Sequence, residues 1–314
     1  MTTPARNLHF TGVTLRDTDR TLAIDLDSDG SHVAIARGSD AASAKLLVFR
    51  ADGTLVEGWG EDGMLGRAVC FAPGPGGRPA IYSVLETSEG RLFTRRDHPG
   101  GGGVKQLACY RRISYASTLT RSNAGGMLAV GGNFLELWDL EHDKRVADIP
   151  PRDQTSQLRA AFAPGDRSII VYGHIDGFVV ELALPGLEEL RRWPAPGRQP
   201  RQVVVSPDGE LLLVVADGQV GVFLYHLTSR ERVLSVLFDE NITVGRYAFA
   251  SPSRILRIVG TRVAAIDLDK VAFVSGPTLD GTQEVAIAVA RDAPRMALAW
   301  SDADARTGSF AIDD

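Results

Sequence analysis

A turn rich in Ser, Pro, Asp and Gly recurs along this chain, and its spacing is the strongest constraint on the fold. The complete form is Ser206-Pro207-Asp208-Gly209, which lies between the strand-like runs 202–205 and 211–215. A Pro/Asp/Gly turn between two short apolar runs is typical of a β-hairpin. Related turns follow apolar runs at the markers Ser28, Pro73, Ser122, Pro164, Pro207, Ser251 and Arg291. These markers lie 45, 49, 42, 43, 44 and 40 residues apart, which indicates a structural repeat.

A second hairpin is predicted inside the repeat unit, and it is clearest in residues 126–140. Met127 to Val130 is an apolar run, and Gly131-Gly132-Asn133 supplies residues that tolerate positive φ. The following run, Phe134 to Leu140, contains the pair Trp138-Asp139. Similar strand endings recur at 224–227, 265–268 and 311–314. No window keeps apolar residues at helical spacing, which disfavours a helical repeat of the same length.

Together these hairpins resemble the WD40 repeat, which is a four-stranded propeller blade of about 40–45 residues. The resemblance extends over almost the whole chain, although Trp138-Asp139 is its one literal Trp-Asp pair and Gly173-His174 stands at a different strand junction from the family's Gly-His pair. It implies an all-β protein, a single β-propeller domain over residues 1–314 with seven four-stranded blades. Because the last unit ends at its third strand, we expect the N-terminal strand, about residues 7–16, to close the last blade.

Composition narrows the functional classes. The 314 residues are 44% hydrophobic and 23% charged, which favours a globular protein over a disordered one. The net charge of −5 argues against binding to nucleic acid or to an anionic membrane through bulk charge. The sequence starts without an apolar leader and lacks any window of about 18 apolar residues, so we expect a cytoplasmic protein. Only four of the 34 basic residues are lysines, which suggests a bacterial genome.

Metal and cofactor sites are not expected. Cys70 and Cys109 are the only cysteines, too few for a disulfide framework or a zinc cluster. Asp25, Asp27 and Asp29 have the Asp-x-Asp-x-Asp-Gly spacing that can present oxygens to Ca²⁺. The twelfth position of an EF-hand loop would be Ala36 instead of Glu, so we interpret the motif as a structural turn and keep calcium binding as the alternative.

Catalytic motifs are not found either, and we predict that the chain is not an enzyme. The six histidines are scattered without ligand-like spacing, and no Gly-x-Ser-x-Gly nucleophile elbow occurs. The glycine run 100–103 lacks the Gly-Lys-Ser/Thr continuation of a phosphate-binding loop. The alternative hypothesis is a propeller enzyme or a small-ligand binder that uses the central channel.

Two clusters of arginine with aromatic residues are the candidate partner-binding sites. Both are expected where a fourth strand connects to the next first strand, so they would share one face of the propeller. Arg beside Tyr or Trp is typical of protein-binding hot spots, and Trp193 is the expected anchor. The alternative is a solvated rim in which Arg stems cover apolar surface. The candidates are Tyr110, Arg111 and Arg112 in one cluster, and Arg191, Arg192, Trp193, Arg198 and Arg201 in the other.

The sequence therefore predicts a non-catalytic scaffold or adaptor for protein–protein interaction, acting as one subunit of a bacterial multi-protein system. Because both candidate clusters are basic, the expected partner is a protein that presents an acidic surface. Nucleic acid and membrane are not expected as partners.

Overall fold

The computed structural model describes residues 13–16, 21–37, 45–61, 63–99, 101–111, 116–151, 157–173, 178–194, 199–217, 221–237, 246–259, 262–270, 272–278, 284–291, 295–301 and 306–311. Within these ranges the chain is built from β-strands, with single 3-10 turns at Pro75–Gly77 and Pro164–Asp166. None of the helical segments in this part of the chain is long and apolar enough to cross a membrane.

Strand β1 (Val13–Arg16) precedes six sheets, each made of four antiparallel strands that are consecutive in the chain. The first contains β2 (Thr21–Leu26), β3 (His32–Arg37), β4 (Leu46–Arg50) and β5 (Leu55–Trp59). The second contains β6 (Leu65–Pro73), β7 (Pro79–Glu86), β8 (Gly90–Asp97) and β9 (Gly101–Arg111). The third contains β10 (Ala116–Arg121), β11 (Met127–Gly132), β12 (Leu135–Asp139) and β13 (Lys144–Ile149).

The later sheets repeat this plan. The fourth contains β14 (Arg159–Phe162), β15 (Ser168–Tyr172), β16 (Phe178–Ala183) and β17 (Glu189–Pro194). The fifth contains β18 (Gln199–Val205), β19 (Leu211–Asp217), β20 (Gly221–His226) and β21 (Arg232–Leu237). The sixth contains β22 (Arg246–Ser251), β23 (Arg254–Val259), β24 (Arg262–Asp267) and β25 (Ala272–Thr278). A further sheet joins β26 (Glu284–Val289), β27 (Arg295–Ser301) and β28 (Arg306–Ala311) to β1, in the order β1-β28-β27-β26.

The sheets surround a common centre, because the first strands of successive sheets contact one another. Strand β2 contacts β6, and the same contact continues from β6 to β10, β14, β18, β22 and β26. Strand β26 also contacts β2. Small antiparallel sheets arranged in this way form a β-propeller. The predicted all-β fold with a single β-propeller is therefore confirmed.

The recurring Ser/Pro/Asp/Gly turn joins the first and second strands, as the sequence predicts. In the complete form, the hydroxyl oxygen of Ser206 accepts a hydrogen bond from the Leu211 N–H over 2.9 Å. The Gly209 N–H donates to the Ser206 carbonyl over 2.9 Å, and Gly209 has a φ of 76°. Only glycine adopts this left-handed backbone region without a steric cost, which explains its place in the turn.

The fifth sheet buries both of its faces, because it packs between two neighbouring sheets. In β19, Leu212 and Val214 belong to the core shared with the fourth sheet, whereas Leu213 and Val215 belong to the core shared with the sixth. Alternate residues of a strand point to opposite faces, so a strand with two buried faces reads as a continuous apolar run. Burial of each Leu or Val contributes roughly 1.5–3 kcal/mol to the free energy of folding.

Side chains of first strands also bind the backbone of the neighbouring first strand. Gln202 in β18 donates from Nε2 to the Tyr247 carbonyl over 2.6 Å and accepts the Tyr247 N–H at Oε1 over 3.1 Å. Phe71 in β6 is held from both sides. Its N–H donates to Asp25 Oδ2 over 2.8 Å, and its carbonyl accepts from Arg121 Nη1 over 2.8 Å. Adjacent sheets are thus joined by specific hydrogen bonds as well as by apolar packing.

The fourth strands form the outer edge of the sheets, and they carry β-bulges. In β13, β17 and β21 the pairing register skips one residue, which leaves Val146, Leu190 and Val233 unpaired. These three side chains are also exposed, and they lie on three different sheets. A bulge twists an edge strand and interrupts its row of free backbone groups, which hinders pairing with another chain.

Candidate functional site

The second arginine cluster lies at the end of a fourth strand. Arg191, Arg192 and Trp193 belong to β17, which continues to Pro194 and then connects to the next sheet. Tyr110 and Arg111 end β9, and Arg201 lies in β18, the first strand of the fifth sheet. Arg112 and Arg198 lie outside the described residues.

Trp193 is a core residue. Its exposed fraction is 6%, and it belongs to the same apolar cluster as Val179 and Tyr225. In β17, successive side chains alternate between the two faces of the sheet. Arg192 therefore lies on the face opposite Trp193, where it is exposed. The expectation that Trp193 offers an accessible anchor is corrected, since a side chain this buried presents almost no surface to a partner.

The two arginines beside Trp193 are paired within their own sheet. Arg191 binds the carboxylate of buried Glu181. Arg192 donates from Nε to Glu189 Oε1 over 2.6 Å, and its guanidinium carbon lies 5.4 Å from the centre of the Phe178 ring. Partner binding by these arginines stays a prediction.

Tyr110 is also buried, in a polar cluster between the second and third sheets. Its hydroxyl donates to Glu136 Oε2 over 2.6 Å, and the Trp138 indole N–H donates to the same oxygen over 3.0 Å. Arg145 Nη1 donates to Glu136 Oε1 over 2.8 Å. Burial and the adjacent Glu136 carboxylate raise the pKa of Tyr110, so this hydroxyl stays a hydrogen-bond donor at neutral pH. Glu136 is a buried carboxylate with both oxygens bonded, which is the condition for tolerating it there.

A groove of about 500 Å³ opens beside this cluster, and we call it the outer groove. Arg111 is exposed there, and its side chain has neither a hydrogen bond nor an ion pair with the described residues. Arg145 is 52% exposed, although one of its nitrogens binds Glu136. The lining residues are Ala108, Cys109, Tyr110, Arg111, Phe134, Glu136, Arg145, Asp148, Ile149, Pro150 and Pro151.

A second cavity of about 360 Å³ lies among the first strands, and we call it the channel cavity. Three of its lining residues are arginines, namely Arg67, Arg91 and Arg159. Its described lining consists of Ala23, Ile24, Arg67, Ala68, Val69, Arg91, Ser117, Thr118, Leu119, Arg159, Gln202 and Ile287. The two cavities are neighbours, because Arg91 of the channel cavity is the cross-strand partner of Tyr110 in the outer groove.

Hydrogen bonds hold the channel arginines in place. Arg67 donates to both oxygens of Glu86, from Nε over 2.8 Å and from Nη2 over 2.9 Å. Arg91 Nε donates to Glu86 Oε2 over 2.8 Å. Burial opposes ionisation of Glu86, but the hydrogen bonds and charges of Arg67 and Arg91 outweigh it and lower the pKa of this carboxyl. Arg159 donates from Nε to the Arg201 carbonyl over 3.1 Å and from Nη2 to Gln157 Oε1 over 2.7 Å.

Sequence reasoning missed Glu136 and all three channel arginines. The signal for Glu136 is visible, since a carboxylate between the apolar Leu135 and Leu137 of a buried strand requires polar partners. The channel arginines have no such local signal. Arg67, Arg91 and Arg159 are separated by tens of residues, and only the packing of the sheets around the channel brings them to one cavity.

Asp27 and Asp29, two of the calcium candidates, cap a local turn. The Asp27 oxygens accept hydrogen bonds from the His32 N–H over 2.9 Å and from the Ser31 hydroxyl over 2.7 Å. Asp29 Oδ1 accepts the Ser31 N–H over 2.8 Å. These contacts are the ones expected of a structural turn.

The third candidate, Asp25, turns to the neighbouring sheet, where it accepts the Phe71 N–H. Burial raises the pKa of Asp25, and the nearby Arg121 charge opposes that shift. In the described ranges, no group of three or more His, Cys, Asp or Glu residues is arranged to hold a metal ion.

Comparison of the sequence with protein-family models and with curated proteins found no match in either case. The assignment of the β-propeller fold therefore depends on the strand order and on the contacts between first strands. The functional hypotheses depend on the outer groove and the channel cavity.

Trp193 provides a direct test of the corrected placement. We predict that Trp193→Ala lowers the free energy of unfolding by about 3–5 kcal/mol, because it removes a large buried side chain. Leu190→Ala, at a 56% exposed position of the same strand, should change it by less than about 0.5 kcal/mol. Denaturant unfolding of both variants measures the difference. Equal stability of the two variants would contradict the burial of Trp193.

Proposed function

We propose that this chain is a non-catalytic scaffold that binds an acidic segment of a protein partner. The observation that supports the proposal best is the outer groove, where exposed Arg111 has no partner among the described residues. An unpaired guanidinium beside a groove can bind a carboxylate through two parallel hydrogen bonds. We place the protein in the cytoplasm as one subunit of a bacterial multi-protein system, which its composition supports.

The outer groove has the mixed surface that protein interfaces use. Phe134 and Tyr110 lie 4.8 Å apart, ring centre to ring centre, and Pro150 and Pro151 add apolar surface at the end of β13. A buried apolar centre with a charged rim is the usual anatomy of a binding patch. Its volume of about 500 Å³ is within the range of pockets that enclose a small ligand or a few side chains.

Replacing Arg111 by Glu should weaken partner binding at least about tenfold, because the new carboxylate repels an acidic segment. The partner is first identified by affinity purification from the organism that encodes the chain, and its affinity is then measured by calorimetry. The control is Arg78→Glu, which makes the same charge change at an exposed position near the opposite end of the second sheet. If both variants lost the same amount of binding, the change in net charge would explain the loss, and the proposed site would be contradicted.

Cys109 gives an independent measurement on the same groove. It is exposed and lines the groove, whereas burial and the nearby Asp25 carboxylate raise the pKa of the Cys70 thiol. A thiol reagent should therefore label Cys109 selectively, since the thiolate is the reactive form. A partner that occupies the groove should slow this labelling. Unchanged labelling in the saturated complex would place the interface elsewhere.

We also propose that the repeats are of the WD40 type and that the N-terminal strand completes a seventh blade. The antiparallel pairing of β1 with β28, with Val13 opposite Ser309, supports this closure. In the sheet order, β1 takes the outer position that β5, β9 and the other fourth strands take in their sheets. Closure of this kind removes an exposed sheet edge at the seam of the ring.

Deleting residues 1–16 should lower the melting temperature, because the deletion exposes the edge of β28 and removes one strand from its sheet. The loss should exceed the few tenths of a kcal/mol expected when an unstructured tail is removed. Deleting residues 1–6 alone is the matched control and should have little effect. Identical melting curves for the two truncated proteins would rule out closure by the N-terminal strand.

A further inference from the structure

We infer that the channel cavity is a binding site for a small oxyanion that carries several negative charges, of the phosphate or polycarboxylate class. Guanidinium groups from two sheets converge there: Arg67 and Arg91 from the second sheet, and Arg159 from the fourth. This site is separate from the outer groove and does not depend on a protein partner.

The charge of the channel cavity is the first argument. Its described lining contains three arginines and no carboxylate, in a protein whose net charge is −5. Glu86, which binds Arg67 and Arg91 from behind the lining, neutralises one of the three positive charges. The described lining is therefore rich in arginine beside a partly enclosed space. Water is limited in such a space, so attraction of an anion is stronger than on an open surface.

Preorganisation is the second argument. Glu86 orients both Arg67 and Arg91, and the Arg91 Nη1 also donates to the Ala116 carbonyl over 2.6 Å. Because these contacts fix the guanidinium planes, little side-chain conformational entropy is lost when an anion binds. Arg67 Nη1 makes no hydrogen bond to a described residue, so at least one donor of this group is available.

The local backbone is the third argument. Arg67 and Ser117 both occupy bulges near the start of a first strand, where the pairing register skips one residue. The same skip occurs in β2 and β18, so the bulge is a repeated feature of the first strands, and at Arg67 and Ser117 it falls on residues that line the cavity. Ser117 and the adjacent Thr118 add hydroxyl groups to the lining, which can donate to further anion oxygens.

The size of the cavity defines the class of ligand. A space of about 360 Å³ accommodates a compact anion such as pyrophosphate or citrate. The same oxygen chemistry could be supplied by acidic side chains of an inserted peptide. Both sources would form charge-assisted hydrogen bonds with the arginines.

Isothermal titration calorimetry at low ionic strength tests the inference with four probes: inorganic phosphate, pyrophosphate, citrate and a capped hexaglutamate peptide. We expect at least one probe to bind saturably with a ratio of one to one. Arg67→Gln and Arg159→Gln should each weaken it about tenfold or more, because each removes a charged donor. Tight binding of pyrophosphate or citrate assigns a free small anion, and binding of the peptide alone assigns a partner's carboxylates.

Two control variants separate this site from other effects. Arg78→Gln removes an exposed positive charge outside the cavity, and Arg111→Glu changes the outer groove. Both should keep the anion affinity of the wild type. If Arg67→Gln does not fold, Arg159→Gln alone decides the outcome. Absence of saturable binding for all four probes, or equal affinity of the cavity variants and Arg78→Gln, would overturn the inference without affecting the proposed scaffold.

Discussion

Hydrogen bonds from the side chains of one first strand to the backbone of the next are the constraint on which this propeller depends. Gln202 binds both backbone groups of Tyr247, and the Thr120 hydroxyl donates to the Ala160 carbonyl over 3.1 Å. Apolar packing between sheets is nondirectional, so it tolerates sliding. In the pairs of sheets that they join, the hydrogen bonds fix how far one sheet is displaced and rotated against its neighbour. With that register set, alternate residues of each strand enter two different cores.

The same register creates both candidate sites. Side chains of the first strands surround the centre, where Arg67 and Arg159 line the same cavity although they belong to different sheets. The ends of the fourth strands leave the outer groove between the second and third sheets. Strands β8 and β9 connect the two sites, since Arg91 and Tyr110 are cross-strand partners. Arg67, Arg91 and Arg111, which each line one of the two sites, thus all belong to the second sheet.

Local patterns made the fold predictable, because a turn such as Ser206–Gly209 and its flanking apolar runs specify a hairpin without help from distant residues. The candidate sites were less predictable. Tyr110 and Arg111 were identified from composition, and the groove beside them contains both. Trp193 was expected to be accessible because the sequence does not show which side chains of a fourth strand face the neighbouring sheet. The convergence of Arg67, Arg91 and Arg159 depends on long-range packing that one sequence does not reveal.

The stability of Gln202→Ala, measured by denaturant unfolding, tests the central role of these contacts most directly. The substitution leaves the part-buried N–H and carbonyl of Tyr247 without their partner, which should lower the free energy of unfolding by about 1–3 kcal/mol. Gln106→Ala is the matched control, because Gln106 is exposed on the fourth strand β9. A stability for Gln202→Ala equal to that of Gln106→Ala would contradict the account.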